Sequence, residues 1–256
     1  VEAVKVTAGR RALEALRGGQ LDLAFMAEYP VVLAGLNEQD FGVVTVLSTY
    51  SGNRLVSKGS VGFESMKDLD GKSIGTTRGS NTEFFTEQLV EAAGIDVEIV
   101  NVAPPDIVPA LARGDIDAGV MFPDFYPAAH EALGDDYREY VSDDYVSYFV
   151  LSASPAMLND RADELKAFLE ALIKADAFIE ENPDAAKQAV ADASEGLLPM
   201  ETIEASWDDF DYPIGFDPGL MALLAAEAEW VGTKGLVPAD PDVSKIRAHL
   251  ITGPMS

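Results

Sequence analysis

Apolar residues recur at helical and strand spacing along the chain, and one short pattern occurs twice. A helical segment at 10–17 is followed by a Gly18-Gly19 stop and an apolar strand at 21–26. The segment 109–121 repeats this unit at a constant offset: Ala15, Leu16, Gly19, Asp22 and Met26 match Ala110, Leu111, Gly114, Asp117 and Met121. This duplication predicts two α/β lobes on the same plan, each with a parallel core sheet. Independent use of a common helix–strand pattern is the alternative.

The rest of the pattern predicts strands up to residue 151 and helices after it. Strands are expected at 43–47, after the Asp70-Gly71 turn, at 97–102 and at 145–151, the last returning to the first lobe. Helices are expected at 159–181, at 183–193 with Pro183 in the first turn, and at 200–210, 217–231 and 242–250. The domain map is lobe 1 from 1–50 and 150–256, and lobe 2 from 51–149.

The strongest predicted helix start is at Ser80. Ser80 and Glu83 have capping-box spacing, in which the serine oxygen accepts the Glu83 amide and the glutamate returns to the Ser80 amide. The helix should continue through Phe85 and Leu89 and stop at Gly94.

Composition excludes several classes of function. The 44 acidic and 18 basic residues give a net charge of −26, which repels nucleic acid and anionic membranes. This excess of acidic residues is typical of a protein from a high-salt environment, and ordinary drift towards an acidic composition is the alternative. With no cysteine, disulfides, thiolate metal sites and cysteine nucleophiles are excluded. No run of about 20 apolar residues occurs, and the N-terminus lacks a signal-peptide pattern. Either a targeting segment has been removed or the protein never had one.

Sequence motifs for catalysis are also missing. His130 and His249 have no partner at metal-ligand spacing and are expected on the surface. There is no Gly-x-Ser-x-Gly elbow, Walker loop or dinucleotide fingerprint. No cofactor or metal is therefore expected.

Candidate binding residues fall where strands should end. In the loop 77–82, amides and hydroxyls could hold an oxyanion, with a simple capped helix as the alternative. An acid beside an aromatic follows each repeat, and this pairing suits an ammonium or aromatic ligand, although either acid alone could be a solvated carboxylate. Two tyrosines lie at the proposed chain crossings, where packing is the alternative role. The candidates are Glu28, Tyr29, Pro30, Tyr50, Thr77, Arg78, Ser80, Asn81, Thr82, Asp124 and Tyr148.

Five segments carry a family resemblance over nearly the whole chain. They are 15–24, 56–59, 67–72, 74–82 and 110–118, and they resemble the sulfonate/nitrate/taurine-type substrate-binding proteins of ABC importers. The helix 171–185, with its Glu-Asn-Pro ending, is similar too. The resemblance implies a two-lobed type II periplasmic-binding fold, with mixed, mostly parallel sheets flanked by helices. It also implies a ligand held between lobes that close about a hinge, delivery to a membrane permease, a monomer, and a periplasmic or extracellular location.

The resemblance also assigns site residues. Glu28 and Pro30 correspond to an acid-x-Pro corner, and Ser80, Asn81 and Thr82 to an anion loop. The family usually has an acid before proline at the second corner, whereas this chain has Phe122-Pro123-Asp124, so Asp124 matches less closely. The chain opens near the strand 4–7, so the family's first strand and helix are expected to be missing. Glu28, Ser80 and Asp124 are expected to face one cleft.

Two other classes compete with a transport role. Enzymes of the thiamine-pyrimidine and menaquinone pathways resemble these binding proteins, but the former depend on a cysteine-rich motif that this chain lacks. A sensory domain is the third class. The chain is therefore interpreted as a binding protein and not an enzyme. A zwitterionic sulfonate, a simple anion such as nitrate, and a cationic pyrimidine fit the candidate residues equally well.

Overall fold

The chain divides into two compact units. The computed structural model describes residues 1–6, 8–142, 144–216, 218–237 and 241–251. Unit 1 comprises Val1–Tyr50 and Ser147–Ser256, and unit 2 comprises Ser51–Val146. The chain therefore leaves unit 1 after Tyr50 and returns at Ser147.

Helices and strands alternate up to residue 153, and helices predominate afterwards. The helices are α1 Gly9–Arg17, α2 Tyr29–Leu36, α3 Asn81–Ala93, α4 Ile107–Arg113, α5 Tyr126–Leu133, α6 Pro155–Asp160, α7 Ala162–Glu181, α8 Pro183–Ala193, α9 Met200–Ser206, α10 Pro218–Thr233 and α11 Val243–Arg247. The strands are β1 Leu23–Ala27, β2 Gly42–Tyr50, β3 Arg54–Lys58, β4 Ser73–Thr76, β5 Glu98–Asn101, β6 Ala118–Val120, β7 Tyr137–Val141, β8 Ser147–Ala153 and β9 Phe210–Asp211. The expectation of an α/β fold is confirmed.

The sheet of unit 1 has the order β1-β8-β2-β9, and every neighbouring pair in it is antiparallel. The expected parallel core was wrong here. β1 and β2 run in the same direction, but β8 lies between them and pairs with both in the opposite direction. A strand that returns from 120 residues away cannot be placed by the local helix–strand pattern.

The sheet of unit 2 has the order β5-β4-β6-β3-β7. β4 pairs in parallel with β5 and β6, while β3 is antiparallel to β6 and β7. The expected parallel core is present among β5, β4 and β6, and β6 is the strand of the second sequence repeat.

The two sequence repeats end their helices with the same hydrogen bonds. The Gln20 amide donates to the Ala15 carbonyl at 2.9 Å and the Gly19 amide to Leu16 at 3.1 Å. At the same offset, the Asp115 amide donates to Ala110 at 2.9 Å and the Gly114 amide to Leu111 at 3.2 Å. This is a Schellman ending, and it requires a left-handed residue, which glycine supplies at φ 69° for Gly19 and 81° for Gly114. A strand follows directly in both units.

Several predicted bounds differ from the structure. Residues 4–6 of the strand expected at 4–7 are exposed and form no strand, and Thr7 lies outside the described residues. The helix expected at 159–181 is interrupted at Arg161, which leaves helical conformation as its guanidinium pairs with Asp22 and Glu164. The helix expected at 200–210 ends at Ser206, and a 3₁₀ turn leads into β9. Asp217, the expected start of α10, lies outside the described residues.

Helix α10 presents an apolar face that contains one acid. Its buried residues are Leu220, Leu224, Glu227, Ala228, Trp230, Val231 and Gly232. It packs against α2 and α11. A glutamate on the buried face of a core helix requires a specific explanation, because burial of a charge is costly.

Candidate functional site

The first predicted acid corner is a buried turn between β1 and α2. Because β1 ends at Ala27 and α2 begins at Tyr29, Glu28 is the residue that precedes the helix. Its side chain is fully buried, and its Oε2 accepts a hydrogen bond from the backbone amide of Tyr148 at 2.8 Å. Pro30 lies in the first turn of α2, where its missing amide leaves no helix hydrogen bond unmade.

Glu227 lies beside Glu28. Its carboxyl is fully buried, and neither of its oxygens has a hydrogen-bond donor in the part of the chain that the structure describes. The pKa of Glu227 is raised well above its ordinary value, mainly by burial. The nearby negative charge of Glu28 and a hydrogen bond between the two side chains raise it further. Two carboxyl groups with little contact with water therefore affect each other's ionisation.

Two of the predicted tyrosines of unit 1 pack against other aromatic rings, and the third is half-buried. The Tyr29 ring meets Trp230 edge-on at 5.8 Å between centroids. The Tyr50 ring packs at 4.5 Å on Phe210 and is 1% exposed. Tyr148 contributes its backbone amide to Glu28, and its own side chain is half-buried.

The predicted anion loop is a tight turn at the start of α3. Gly79 has φ 75°, which lets the chain reverse between Thr77 and Ser80. Thr77 donates its hydroxyl to the Val102 carbonyl at 3.0 Å, and the Arg78 amide donates to Asn101 at 3.0 Å. Arg78 is exposed, whereas Ser80, Asn81 and Thr82 are all buried. A buried polar helix start is consistent with the predicted oxyanion site and with a purely structural turn.

A chain of hydroxyl groups holds this turn. Thr76 donates to the Thr82 hydroxyl at 3.0 Å, and Ser80 donates to the Thr77 carbonyl at 2.7 Å. Since the Ser80 proton is committed, the 2.8 Å contact between Ser80 and Thr82 must have Thr82 as donor. All three hydroxyl protons are used within the turn, so these hydroxyls have no proton left for an anion in this conformation. The other donor groups of the loop are backbone amides, the Asn81 side-chain amide and the exposed Arg78 guanidinium.

The predicted capping box is wrong in its chemistry. α3 begins at Asn81 with Ser80 as its N-cap, but the Ser80 hydroxyl caps no amide. The Glu83 amide donates to the backbone carbonyl of Ser80 at 3.1 Å, and the Glu83 carboxylate accepts from the Gly79 amide at 2.8 Å instead of the Ser80 amide. The left-handed glycine turns the Thr77 carbonyl towards the Ser80 hydroxyl and presents its own amide to Glu83.

The second acid corner differs from the first. Asp124 lies in a 3₁₀ turn, and α5 begins two residues later at Tyr126. Its side chain is exposed, yet desolvation by the atoms around it raises its pKa. The structural counterpart of Tyr29-Pro30 is Tyr126-Pro127, which opens α5 in the same way.

Tyr126 and Arg54 were missed by the sequence analysis. The Arg54 guanidinium lies 4.7 Å from the centre of the Tyr126 ring, and the Arg54 amide donates to the Tyr126 hydroxyl at 3.2 Å. Arg54 also pairs with Glu139 at 3.1 Å. The repeated Tyr-Pro dipeptide is a signal that could have identified Tyr126, but an arginine in a strand carries none.

The structure distributes the predicted residues between the units. Glu28, Tyr29, Pro30, Tyr50 and Tyr148 belong to unit 1, whereas 77–82 and Asp124 belong to unit 2. In unit 1 the structure joins Glu28 directly to Tyr148. In unit 2 it joins Ser80 directly to Thr82. The shared cleft expected for Glu28, Ser80 and Asp124 stays a prediction.

Both histidines stack on aromatic rings that are outside the candidate set. His249 stacks on Phe41 with 4.5 Å between ring centroids, and His130 stacks on Tyr137 at 3.6 Å. Among the described residues, no three His, Cys, Asp or Glu side chains are grouped so that they could hold a metal ion. Within the same residues, no helix has both the length and the apolar composition needed to cross a bilayer.

The family model described as NMT1/THI5 like matches residues 1–186, which is most of the chain. The chain belongs to the NMT1/THI5-like family. A relative from Brucella abortus, described as a candidate binding protein, is 27% identical to this NMT1/THI5-like chain over 189 residues, or 72% of the chain and 52% of the relative. The chain thus spans about half the length of the curated relatives that it matches.

Solved structures show the fold of this NMT1/THI5-like protein. The alkanesulfonate-binding protein SsuA of Xanthomonas axonopodis pv. citri, bound to MOPS, superposes with a TM-score of 0.80 at 19% identity, covering 96% of this chain and 86% of that one. The periplasmic aliphatic sulphonate binding protein SsuA of Escherichia coli has a TM-score of 0.77 at 20% identity, covering 94% and 80%. The chain therefore has the fold of periplasmic binding proteins, as its sequence predicted.

Proposed function

We propose that this protein is the ligand-binding component of an ABC importer and that it captures a small sulfonate or similar oxyanion. The agreement in fold with sulfonate-binding proteins over 96% of the chain carries this proposal. Family membership and the relatives described as binding proteins support it. In this role the protein works in the periplasm or at the outer face of the membrane, passes its ligand to a permease, acts as a monomer and catalyses no reaction.

The start of α3 supports an anionic ligand. A 13-residue helix has the positive end of its dipole at its first turn. The left-handed glycine before that turn lets the backbone approach a ligand closely. Because the hydroxyl protons of Thr76, Ser80 and Thr82 are committed, we assign the helix-start amides as the donors to the anion. The hydroxyl chain then fixes the position of those amides.

A ligand screen tests the role. Thermal shift and calorimetry should be run with alkanesulfonates, taurine, nitrate, simple amines and aminopyrimidines. A sulfonate or another oxyanion should raise the melting temperature in proportion to its concentration, because a ligand that binds only the folded state stabilises it. Preference for amines or pyrimidines would reject the anionic assignment. Turnover of a bound compound would reject the transport role.

The variant Ser80→Asp tests the site. Aspartate cannot donate to the Thr77 carbonyl as the Ser80 hydroxyl does, so some stability should be lost, and its negative charge should repel an anion at the same amides. Affinity is therefore measured well below the melting temperature of the variant. We expect affinity for the oxyanion to fall at least about tenfold, which is roughly 1.4 kcal/mol. Ser154→Asp is the matched control, since Ser154 is another buried N-cap serine, whose hydroxyl accepts the Met157 amide at 3.2 Å. If both variants bind equally well, the α3 assignment is wrong although the transport role can stand.

A further inference from the structure

The buried carboxyl groups of Glu28 and Glu227 form a titratable cluster that the proposed transport role does not use. Both side chains are 0% exposed. Glu28 precedes α2, and Glu227 lies in the middle of α10, which packs on α2. Glu28 acts on Glu227 as a neighbouring negative charge and as a hydrogen-bond partner, and two carboxylates so placed and shielded from water cannot both remain ionised without strong repulsion.

The hydrogen bonds distinguish the two acids. Glu28 accepts the Tyr148 amide at 2.8 Å, and an accepted amide hydrogen bond favours the ionised form of a carboxyl. Glu227 has no donor and no ion pair within the described residues, so nothing there stabilises it as a carboxylate. A neutral Glu227 can donate its own proton to Glu28, which supplies Glu227 with the partner that it lacks.

The elements packed around Glu227 bring no compensating positive charge to it. α2 contributes the phenol of Tyr29, and β8 contributes the amide of Tyr148. On α11, Lys245 pairs with Glu38 at 3.3 Å, and Arg247 is exposed. Just after that helix, His249 stacks on Phe41. On α10 itself, Glu229 is exposed and Lys234 lies over the Trp230 ring. Within the described residues, Glu28 is the one charged group whose effect on Glu227 is resolved.

We propose that Glu28 and Glu227 share one proton at neutral pH, with Glu227 as the neutral acid that donates to Glu28 and holds its carboxylate on the Tyr148 amide. Glu227 is then a positioning residue for the corner between β1 and α2. The inference does not depend on the ligand or on the proposed transport role.

Infrared spectroscopy of the full chain tests where the proton lies. In D₂O at pH 7 the wild type should show a carbonyl band of a protonated carboxylic acid, which Glu227→Gln should lose. Glu229→Gln, two residues away on the same helix and exposed, should retain the band. Glu28→Gln should shift the titration of the band to lower pH, since the neighbouring charge is gone. Absence of the band in the wild type, or its survival in Glu227→Gln, overturns the proposal.

Hydrogen exchange tests the positioning role. Glutamine at position 227 can still donate to Glu28, so the Tyr148 amide should remain protected in Glu227→Gln. Alanine cannot donate, and exchange of that amide should be at least about tenfold faster in Glu227→Ala. Equal protection in both variants would show that Glu227 does not hold Glu28 in place. If either variant fails to fold, the wild-type infrared band still decides whether the pair holds a proton.

Discussion

The carboxylate of Glu28 and the backbone amide of Tyr148 are hydrogen-bonded at 2.8 Å, although 120 residues separate them in the chain. The bond joins the end of β1 to β8, the strand with which the chain returns to unit 1. Glu28 is fully buried and Tyr148 is half-buried, so the Glu28 carboxylate in particular cannot turn to water if this partner is removed.

Replacement of Glu28 should therefore destabilise the protein. We expect Glu28→Ala to lower the free energy of unfolding by about 1 to 3 kcal/mol, the usual cost of leaving a buried hydrogen-bonding group unpaired. Glu28→Gln keeps an acceptor oxygen and should cost less. Urea unfolding monitored by circular dichroism measures both. An equal cost for the two variants would indicate that the amide hydrogen bond contributes nothing.

Thr82 should be the most sensitive hydroxyl of the turn before α3, because it accepts from Thr76 and donates to Ser80. Thr82→Val keeps the shape but removes both bonds, and we expect a loss of about 1 to 3 kcal/mol. Thr86→Val is the control, since the buried Thr86 hydroxyl only donates to the Thr82 carbonyl at 2.6 Å. Its loss should be about 1 kcal/mol or less. The prediction fails if the control is the more damaging change.

The glycines that end α1 and α4 should respond alike to substitution. Gly19 and Gly114 both have left-handed backbones. A Cβ would meet nothing within 4 Å at Gly19 and only the Lys58 Nζ, at 3.6 Å, at Gly114. Alanine should therefore cost about 1 to 2 kcal/mol at each site through backbone strain alone. Gly18→Ala is the control, because Gly18 has φ −74°, where alanine is unstrained, although its Cβ would meet the Glu14 carbonyl oxygen at 3.3 Å. Its cost should therefore be smaller than that at Gly19 or Gly114. Thermal unfolding of the three variants compares them.

Asp117 should contribute to acid stability. Burial disfavours its charged form, but the amide and hydroxyl of Ser73, both at 2.9 Å from Oδ2, lower its pKa overall. A lowered pKa in the folded state adds stability above the ordinary aspartate value, about 3.9, and that stability is lost as the pH falls through the folded pKa. Asp117→Asn should therefore lose less stability than the wild type on going from pH 5 to pH 2. The exposed Asp115→Asn serves as the control.

Local patterns in the sequence predicted most of the fold. The glycine stops of α1 and α4 lie where predicted, because a left-handed residue is needed there and glycine adopts it readily. The position of β8 between β1 and β2 was not predictable from local pattern, since it depends on pairing between distant segments.

Only part of the candidate site could be predicted from the sequence. The Ser80-x-x-Glu83 spacing correctly located the start of α3 but not its hydrogen bonds, which depend on the turn at Gly79. Glu227 was missed although a signal existed. It lies seven residues after Leu220 and three after Leu224, on the apolar face of a helix that the same pattern predicted.

Because β8 is inserted between β1 and β2, it also sets the order in which the two units can fold during synthesis. The sheet of unit 1 cannot close until residues 147–153 have been synthesised, because β8 supplies the partner of both β1 and β2. The strands that the structure describes in unit 2 lie between residues 54 and 141, so its sheet can be complete earlier. Domains generally fold as units during synthesis, and distant pairing is slow. We therefore expect residues 51–146 to fold first on the ribosome, while β1 and β2 remain unpaired until β8 has been synthesised.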